Sequence, residues 1–310
     1  MGEAFEHDAV LIDEAVSSLV EKPDGFYVDG TYGRGGHSSE ILKRLNQAGR
    51  LLVVDKDPEA IHHAQQHLGT DSRVMISHSS FASVGDLVRE WGAVGKVDGV
   101  LLDLGVSSPQ IDNAERGFSF KGGPLDMRMN PEIGMSAADW IAVAKEREIA
   151  DVIKRYGEER FANRMARAIV EERVRRPIVT TEHLADIVSK ANPAWEKGKN
   201  PATRAFQAIR IFINNELDDL NQALDQALEV LAVGGKLVVI SFHSLEDRIV
   251  KRFIRLHEKG EQLPRDLPIT ADQVKQRLRH VGKIVRASDE EVAGNVRARS
   301  AVMRVAVKVS

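Results

Sequence analysis

A glycine-rich segment between an apolar run and a helical pattern constrains the fold of this chain most strongly. The β-prone residues 26–28 end in Asp29, and glycines follow at positions 30, 33, 35 and 36. A helical pattern begins near Ser38. Glycine lets backbone amides approach a ligand closely, and a helix N-terminus offers free N–H donors. The segment therefore predicts a nucleotide-type binding turn between a strand and a helix.

A second acid narrows the class of ligand. Residues 51–54 form another apolar strand pattern that ends in Asp55, where a carboxylate can bind ribose hydroxyls. The glycines do not follow the G-x-G-x-x-G spacing of dinucleotide-binding folds. With Asp29 in front, Gly33 and Gly35 fit the D-x-x-x-G-x-G loop of S-adenosylmethionine methyltransferases better. A glycine-rich turn without a ligand is the alternative.

The alternation of strands and helices continues and predicts an α/β fold with a parallel sheet. Asp57 and Pro58 are typical of a helix N-cap and first turn, and we expect that helix to reach about residue 68. Strands are predicted at 74–77 and 97–102, with a helix at 84–91 between them. The second strand ends in Asp103, which we expect at the same carboxyl edge as Asp29 and Asp55.

A long insertion interrupts this alternation. The next strand pattern, 236–241, begins more than 130 residues after Asp103, whereas a simple crossover takes roughly 30 to 40. We expect a methyltransferase core at 1–111 and 206–310, and a helical substrate-recognition insert at 112–205. The insert has a polar stretch around Pro193, Gly198 and Pro201, and the segment 112–131 has the character of a flexible loop. One long amphipathic helix is predicted at 206–231, then a helix at 245–257, a Pro-rich loop, and strands at 283–285 and 301–307.

Composition excludes several kinds of chemistry. The chain has no cysteine, which rules out disulfides, thiolate zinc sites, iron–sulfur clusters and thiolate addition to a pyrimidine ring. A methyltransferase with this composition would transfer directly to a heteroatom. The first residues lack a signal-peptide pattern, and no apolar run approaches the roughly 20 residues that span a bilayer. We expect a cytoplasmic protein that does not enter a membrane.

The segment after Asp103 carries the predicted mechanism. An exocyclic base amine is a weak nucleophile, and oxygen atoms that accept hydrogen bonds from its N–H groups make it more reactive. Asp103, Ser108 and Pro109 resemble the acid-or-Ser-Pro motif of DNA amino-methyltransferases, with Ser108 and Pro109 in a loop. No aromatic residue follows Pro109, so a ring that stacks on the base must come from elsewhere. An ordinary Ser-Pro turn is the alternative. The candidate rings are Phe118, Phe120 and Phe242.

Histidines offer further candidates. His243 is a candidate general base or phosphate contact. In the alternative interpretation Ser244 caps the next helix, and Asp247 and Arg248 form a local ion pair. His62, His63 and His67 have no carboxylate partner at a matching spacing, so we predict no metal site.

Two basic clusters stand out against a net charge of −3. Either can neutralise phosphates, and the C-terminal cluster is the better candidate. A solvated helix face with i,i+4 pairing is the alternative, especially for the cluster in the insert. The C-terminal cluster comprises Lys275, Arg277, Arg279, Lys283, Arg286, Arg297, Arg299 and Arg304, and the insert cluster comprises Arg164, Arg167, Arg173, Arg175 and Arg176.

Six segments spread along the chain resemble one family. They are 29–38 (DGTYGRGGHS), 102–110 (LDLGVSSPQ), 122–129 (GGPLDMRM), 156–159 (YGEE), 241–248 (SFHSLEDR) and 297–300 (RARS). On these segments the chain resembles the RsmH (MraW) family.

The resemblance implies a Rossmann-like, seven-strand methyltransferase core with a helical insert. It implies S-adenosylmethionine as cofactor and N4 of one cytidine in the decoding region of 16S ribosomal RNA as the methylated atom, with the small ribosomal subunit as partner. The oligomeric state stays open, with a homodimer among the alternatives. The cofactor contacts that the resemblance implies are Gly35, Gly36, His37, Asp55, Phe81, Asp103 and Gln110, to which the loop pattern adds Gly33.

Other function classes stay open at this point. A nicotinamide-dependent oxidoreductase would share the binding turn, but its glycine spacing is absent. An RNA-binding assembly factor could keep the fold without turnover. A DNA amino-methylase fits the chemistry, although the residue after Pro109 counts against it.

Overall fold

The computed structural model describes residues 9–120, 122–194, 200–260 and 276–310. Gly198, Lys275 and the predicted Pro-rich loop lie outside these residues. The chain forms two compact units. We call Met1–Gly105 with Leu217–Ser310 the core unit, and Val106–Glu216 the insert unit. Among the described residues, no helix has the length and apolar character needed to cross a membrane.

The core unit is built on one mixed sheet. Its strands run in the order β3-β2-β1-β4-β5-β8-β6, and the short β7 pairs with β8 beside this path. Strands β1 to β5 are parallel to one another, whereas β8 is antiparallel to β5, β6 and β7. The predicted α/β fold with a parallel-dominated sheet is confirmed. The strands are β1 (Phe26–Asp29), β2 (Arg50–Asp55), β3 (Val74–His78), β4 (Val97–Asp103), β5 (Leu231–Ser241), β6 (Leu278–His280), β7 (Val285–Arg286) and β8 (Val302–Lys308).

Helices flank the sheet in the core unit and make up most of the insert unit. In the core unit they are α1 (Ile12–Leu19), α2 (Gly36–Arg44), α3 (Pro58–Leu68), α4 (Val84–Glu90), α12 (Ser244–Lys259) and α13 (Asp289–Gly294). In the insert unit they are α5 (Ser108–Asp112), α6 (Ala137–Val143), α7 (Glu146–Gly157), α8 (Ala162–Arg175), α9 (Thr181–Ala191) and α10 (Thr203–Asn214). Helix α11 (Glu216–Val230) begins at the last residue of the insert unit and continues in the core unit.

Helices cover both faces of the sheet, which explains the uninterrupted apolar runs 51–54 in β2 and 100–102 in β4. Alternate residues of one strand point to opposite faces. Leu102 therefore joins a cluster with residues of α4, α11 and α12, while Leu101 joins another with residues of α1, α2 and α3. Burying each such side chain contributes about 1.5–3 kcal/mol.

The insert unit has a hydrophobic core of its own. Trp140, Ile149, Met165 and Leu184 come from four different helices and meet in one cluster. Phe206 of α10 belongs to the same cluster. The two compact units divide at residues 105/106 and 216/217. The predicted insert, 112–205, is shorter and leaves α10 in the core.

The prediction of one long helix at 206–231 is wrong. Asn215 adopts a left-handed conformation with φ of 56° and ends α10, and α11 starts at the next residue. Asparagine tolerates this conformation better than most residues. The apolar periodicity continues in phase across the break, so spacing alone could not reveal it. Leu231 begins β5 and is not helical.

The segment 112–131, predicted as a flexible loop, is held by specific hydrogen bonds. The Asn214 side chain donates to the Met127 carbonyl at 2.7 Å and accepts from the Met129 N–H at 2.7 Å. The buried Arg116 guanidinium donates to the Met129 carbonyl at 2.8 Å. Met127 itself is buried with φ of 63°. The described residues of this segment therefore have defined contacts within the insert unit.

Replacing Asn214 with Ala should loosen this segment, because the Met127 carbonyl and Met129 N–H would each lose a partner. We expect the local opening free energy to fall by about 1–3 kcal/mol. Amide hydrogen exchange of residues 114–129 measures it. Asn221→Ala is the control, since that side chain is exposed and bonds only within its own helix turn. Equal exchange in the two variants would contradict the assigned role.

Candidate active site

Three acids end neighbouring strands of the sheet. Asp29 of β1 lies opposite Val53 of β2 and Leu101 of β4, so Asp55 and Asp103 each follow two residues further along. The chain runs outward from β1 to β3 and then returns to β4 on the other side of β1. This reversal is where open α/β sheets bind ligands. The sequence prediction that the three acids share one edge is confirmed.

Asp29 connects the glycine loop, residues 30–35, to helix α2. Its side chain is completely buried, accepting from the Ser38 hydroxyl at 2.6 Å and from the Thr31 N–H at 3.1 Å. Burial raises the pKa of Asp29, while nearby His37 and the Ser38 hydrogen bond oppose that rise. Both carboxylate oxygens are thus bound within the protein, and Asp29 has a structural role.

The glycine loop lies between two strands and requires its glycines. The Gly30 N–H donates to the Leu101 carbonyl at 3.0 Å, and the Tyr32 N–H donates to the Val54 carbonyl at 3.1 Å. Gly35 has φ of 79°, and a Cβ there would lie 2.6 Å from the Tyr32 ring. The loop backbone is therefore fixed with space for only a hydrogen atom at Gly35.

Asp55 closes the other side of the loop. One carboxylate oxygen accepts from the Gly33 N–H at 2.8 Å, and the other accepts from the Asp57 N–H at 2.8 Å. Burial is the main cause that raises the pKa of Asp55 to about 6, and the two hydrogen bonds act in the opposite direction by lowering it. Asp57 caps α3 through the Glu59 N–H at 2.9 Å, with Pro58 in the first turn, which confirms that prediction.

Asp103 has a buried oxygen atom without a partner. Its Oδ1 forms no hydrogen bond within the part of the chain that the structure describes, while its Oδ2 lies 3.7 Å from Nδ1 of His37. Burial raises the pKa of Asp103 well above its usual range, and Asp29 and Glu246 add to the rise. Its N–H donates to the Thr31 hydroxyl oxygen at 2.6 Å, which fixes its position. A buried acceptor of this kind fits a ligand that brings an N–H or O–H donor.

Phe81 follows β3 in a short 3-10 turn, Phe81–Ser83, which Ser80 caps. The ring is half-buried and packs against the cluster that contains Val28 and Leu102. Ser80 also donates to Asp219 at 2.7 Å, and Lys56 pairs with the same carboxylate at 2.6 Å. These contacts connect the ends of β2 and β3 to α11.

The segment from Ser108 to Gln110 is helical, so its placement in a loop is wrong. Ser108 and Pro109 open α5, and Ser107 is its N-cap. Gln110 is buried and accepts from the Ser107 N–H at 2.9 Å, which forms a capping box. The Ser108 carbonyl consequently points along a helix axis. These residues belong to the insert unit.

His243, and not Ser244, caps helix α12. Its Nδ1 accepts from the Glu246 N–H at 3.4 Å, and the buried Glu246 carboxylate accepts from the Phe242 N–H at 2.8 Å. Asp247 pairs with Arg304 of β8, at 2.7 Å from Nε, a long-range contact beside the local pair with Arg248 that was the alternative interpretation. The Glu246 role was missed, although its spacing of three from His243 is the capping-box signal.

Comparison with known proteins assigns the chain to a family. The MraW methylase family matches residues 4–309. The chain belongs to this family. Ribosomal RNA small subunit methyltransferase H of Chromohalobacter salexigens is 58% identical over 307 residues, covering 98% of this chain and 92% of that protein. The protein of the same name from Marinomonas sp. is 56% identical over 306 residues, covering 98% of both.

A solved structure of an rRNA methylase from Streptococcus thermophilus is more distant. It has 10% sequence identity and a TM-score of 0.43, covering 96% of this chain and 94% of that chain. Membership of the MraW methylase family confirms the resemblance stated above and the predicted methyltransferase class, with S-adenosylmethionine as its cofactor. An oxidoreductase is thereby excluded, in agreement with the glycine spacing.

The two basic clusters of this MraW-family chain differ in how far their charges are paired. In the insert unit, Arg176 pairs with Glu172 at 2.8 Å, and Arg173 donates to the Ala144 carbonyl at 2.7 Å. Arg167 also lies 3.8 Å from Glu146. In the C-terminal cluster, Arg304 is paired with Asp247. Exposed cations there are Arg277, Arg279, Lys283, Arg286 and Arg299.

The histidines of α3 form contacts within the chain. His63 Nδ1 lies 2.8 Å from the Tyr32 hydroxyl, and the His63 ring stacks on His67 with centroids 3.9 Å apart. His67 Nδ1 lies 2.9 Å from the His63 carbonyl. His62 and His63 also line a groove of about 390 Å³ beside Arg34. The contact with His63 thus holds the Tyr32 ring beside Gly35.

Replacing Ser38 with Ala should destabilise the core unit, because buried Asp29 would lose its shortest hydrogen bond. We expect the free energy of unfolding near neutral pH to fall by about 1–3 kcal/mol. Denaturant unfolding measures the change. Ser39→Ala is a matched control, since Ser39 is the next residue of α2 and is exposed. A loss in the control as large as in Ser38→Ala would argue against the Asp29 contact as the cause.

Proposed function

We propose that the protein methylates N4 of one cytidine in the decoding region of 16S ribosomal RNA, within the small ribosomal subunit. The observation that carries the proposal is the buried Oδ1 of Asp103 at the end of β4, which has no hydrogen-bond partner in the described part of the chain. The names of the curated relatives support ribosomal RNA as the substrate. A ribosomal substrate also implies a cytoplasmic enzyme.

The chemistry of the amine explains why an acid belongs at this position. The lone pair of an exocyclic amine is delocalised into the ring, so the nitrogen is a poor nucleophile. A carboxyl oxygen that accepts one N–H draws the nitrogen towards a tetrahedral geometry. S-adenosylmethionine supplies an electrophilic methyl group on its sulfonium. Asp103 would hold the amine in line with that methyl group, where orientation contributes strongly to the rate.

The absence of cysteine from the sequence supports transfer to a heteroatom. Asp103 also carries the amine-binding role better than the other candidates. His243 caps α12 through Nδ1 and has its Nε2 3.0 Å from Oε1 of Glu246, and Ser108 lies in the first turn of α5. The catalytic roles of Ser108, Pro109 and His243 stay predictions, as does the contact of Gln110 with the cofactor.

We assign the cofactor to the glycine loop and the edge of β2. Asp55 would bind the ribose hydroxyls, while Gly33, Gly35, Gly36 and His37 would surround the methionine part. Phe81 would stack on the adenine. Two features support this fit: Gly35 admits no side chain, and the raised pKa of Asp55, about 6, indicates a carboxylate that gains from further donors.

RNA binding falls to the exposed cations of the C-terminal cluster. Arg279 lies on β6 and Arg286 on β7, and both are exposed. Such residues neutralise phosphates by releasing counterions, so binding should weaken as salt concentration rises. The insert cluster contributes less, because most of its arginines are paired within the unit. RNA recognition by the insert stays a prediction.

Replacing Asp55 with Ala should weaken binding of S-adenosylmethionine, because the ribose loses its acceptor. We expect a loss of about tenfold to a hundredfold in affinity, on the order of 1.5–3 kcal/mol for a hydrogen bond to a charged group. Isothermal calorimetry measures it. Asp86→Ala serves as the control, since Asp86 is an exposed acid of α4 paired with Arg89. Unchanged affinity in the Asp55 variant would refute the assignment.

The substrate is tested with small ribosomal subunits from cells that lack this gene. Incubation with the protein and labelled S-adenosylmethionine, followed by nucleoside mass spectrometry, should yield N4-methylcytidine at one position. Asp103→Ala should lose at least about 100-fold in rate at saturating cofactor, and calorimetry measures any separate loss of cofactor affinity, because Asp103 is also a predicted cofactor contact.

Each alternative gives a different result in that experiment. Methylation of naked DNA but not of subunits would favour a DNA amino-methylase. Tight, salt-sensitive binding to subunits without any methyl transfer would favour an assembly factor. A methylated nucleoside other than N4-methylcytidine would overturn the proposed target atom.

A further inference from the structure

One hydrogen bond determines which nitrogen of His37 carries a proton. The His37 ring is buried, and its Nε2 lies 3.2 Å from the Val10 carbonyl oxygen. A carbonyl oxygen only accepts, so Nε2 must be the donor. Burial lowers the pKa of His37 and so favours the neutral ring, although Asp29 and the hydrogen bond to the Val10 carbonyl act in the opposite direction. In the neutral ring, Nδ1 then has a free lone pair.

That lone pair faces Asp103. Nδ1 lies 3.7 Å from Oδ2, while the other oxygen of the same carboxyl, Oδ1, is buried without a partner among the described residues. The charged groups that act on this carboxyl are Asp29 of β1 and Glu246 of α12, and both favour its protonated form. One oxygen of Asp103 is thus directed to a base, and the other is free to meet a substrate.

We propose that His37 is the final acceptor of the proton released in methyl transfer, which reaches it through the carboxyl group of Asp103. The inference rests on the proposed function, since it concerns the proton that a methylated amine must lose. His37 does not touch the substrate in this scheme, and it acts through Asp103.

The proton transfers balance. When the methyl group is attached, the N4–H bond breaks and an Oδ1–H bond forms. The Oδ2–H bond of the protonated carboxyl breaks and an Nδ1–H bond forms. The positive charge created on the amine therefore ends on the His37 ring, where the Val10 carbonyl stabilises it. For this transfer the distance between Nδ1 of His37 and Oδ2 of Asp103, 3.7 Å, must shorten by about 1 Å, as catalytic hydrogen bonds often do when substrate binds.

This scheme explains how an acid with a raised pKa can still serve as a base. A protonated carboxyl alone accepts a hydrogen bond but cannot take up a second proton. With His37 behind it, the group receives a proton at one oxygen while it releases another. After turnover, burial of His37 favours return of its Nδ1 proton to Oδ2 of Asp103, because the charged ring is poorly solvated, and the Oδ1 proton then leaves to water that enters as the product departs.

The chain segment before α1 positions the Val10 carbonyl. Ala9 packs on Gly36, where a Cβ would lie 2.8 Å from the Ala9 Cβ. The Leu11 N–H donates to Oε1 of Glu291 at 2.7 Å, and Leu11 has a left-handed φ of 56°. Glu291 belongs to α13 and lies far along the chain from the other groups. It offers a means to disturb His37 without changing the acids at the sheet edge.

The decisive variant is His37→Gln. Its amide can still donate to the Val10 carbonyl, but it has no basic nitrogen for Asp103. With saturating cofactor and small ribosomal subunits, we expect kcat near neutral pH to fall about 100-fold. We further expect kcat of the variant to rise with pH, because only ionised Asp103 could then accept the proton. The wild-type rate should stay level over the same pH range.

Three measurements guard against a purely structural effect. Glu291→Ala should lower kcat less than His37→Gln and with the same pH trend, since it releases the Val10 carbonyl. Nitrogen-15 NMR of the histidine rings in the free protein should show His37 protonated at Nε2 and bare at Nδ1. Cofactor affinity, measured by calorimetry, separates a loss of binding from a loss of proton transfer.

Three results would overturn the inference. They are a wild-type kcat in His37→Gln, a fall in kcat that is uniform over pH, and the opposite ring tautomer in the NMR spectrum. An unchanged pH profile in Glu291→Ala would overturn the role given to Val10. Lack of any methylation by the wild-type protein would instead refute the proposed function, and this inference with it.

Discussion

The buried carboxylate of Asp29 is the contact on which the rest of the site depends. It joins the end of β1 to the first turn of α2 through Ser38, and to the glycine loop through the Thr31 N–H. An ionised group with no exposure is costly unless its oxygens are bonded. Because the loop and α2 supply those bonds, the loop conformation and the buried carboxyl group stabilise each other. Thr31 in turn fixes the backbone of Asp103.

The three acids at the carboxyl edge of the sheet have raised pKa values because they are buried. Asp29, Asp55 and Asp103 all have raised pKa values, with burial as the largest cause in each case. Their surroundings nevertheless separate their roles. Asp29 is bonded on both oxygens, Asp55 is bonded to two backbone N–H groups, and Asp103 has one oxygen without a hydrogen bond among the described residues. This difference in hydrogen bonding is the reason why we propose Asp103 as the acid that meets the substrate.

In the insert unit, too, a few buried polar side chains hold the backbone by hydrogen bonds. Asn214 at the end of α10 and Arg116 after α5 both bond the backbone around Met129. A segment rich in glycine and polar residues thereby acquires a fixed conformation. Two of its glycines are required by geometry, since a Cβ on Gly123 would lie 2.1 Å from the Ala114 carbonyl oxygen and one on Gly117 2.6 Å from the Asp126 N–H.

The sequence by itself determined the α/β order, the three acids at one edge, the helical insert and the family. These follow from local patterns: apolar runs make strands, glycines make the loop, and long shared segments identify relatives. The tertiary structure decided what depends on contacts between distant residues. Asp247 pairs with Arg304, 57 residues further along the chain, and Asn215 ends one helix where the apolar pattern continues into the next. Likewise, His37 meets Val10 and Asp103 only after folding, because no spacing in the chain encodes a contact between separate elements.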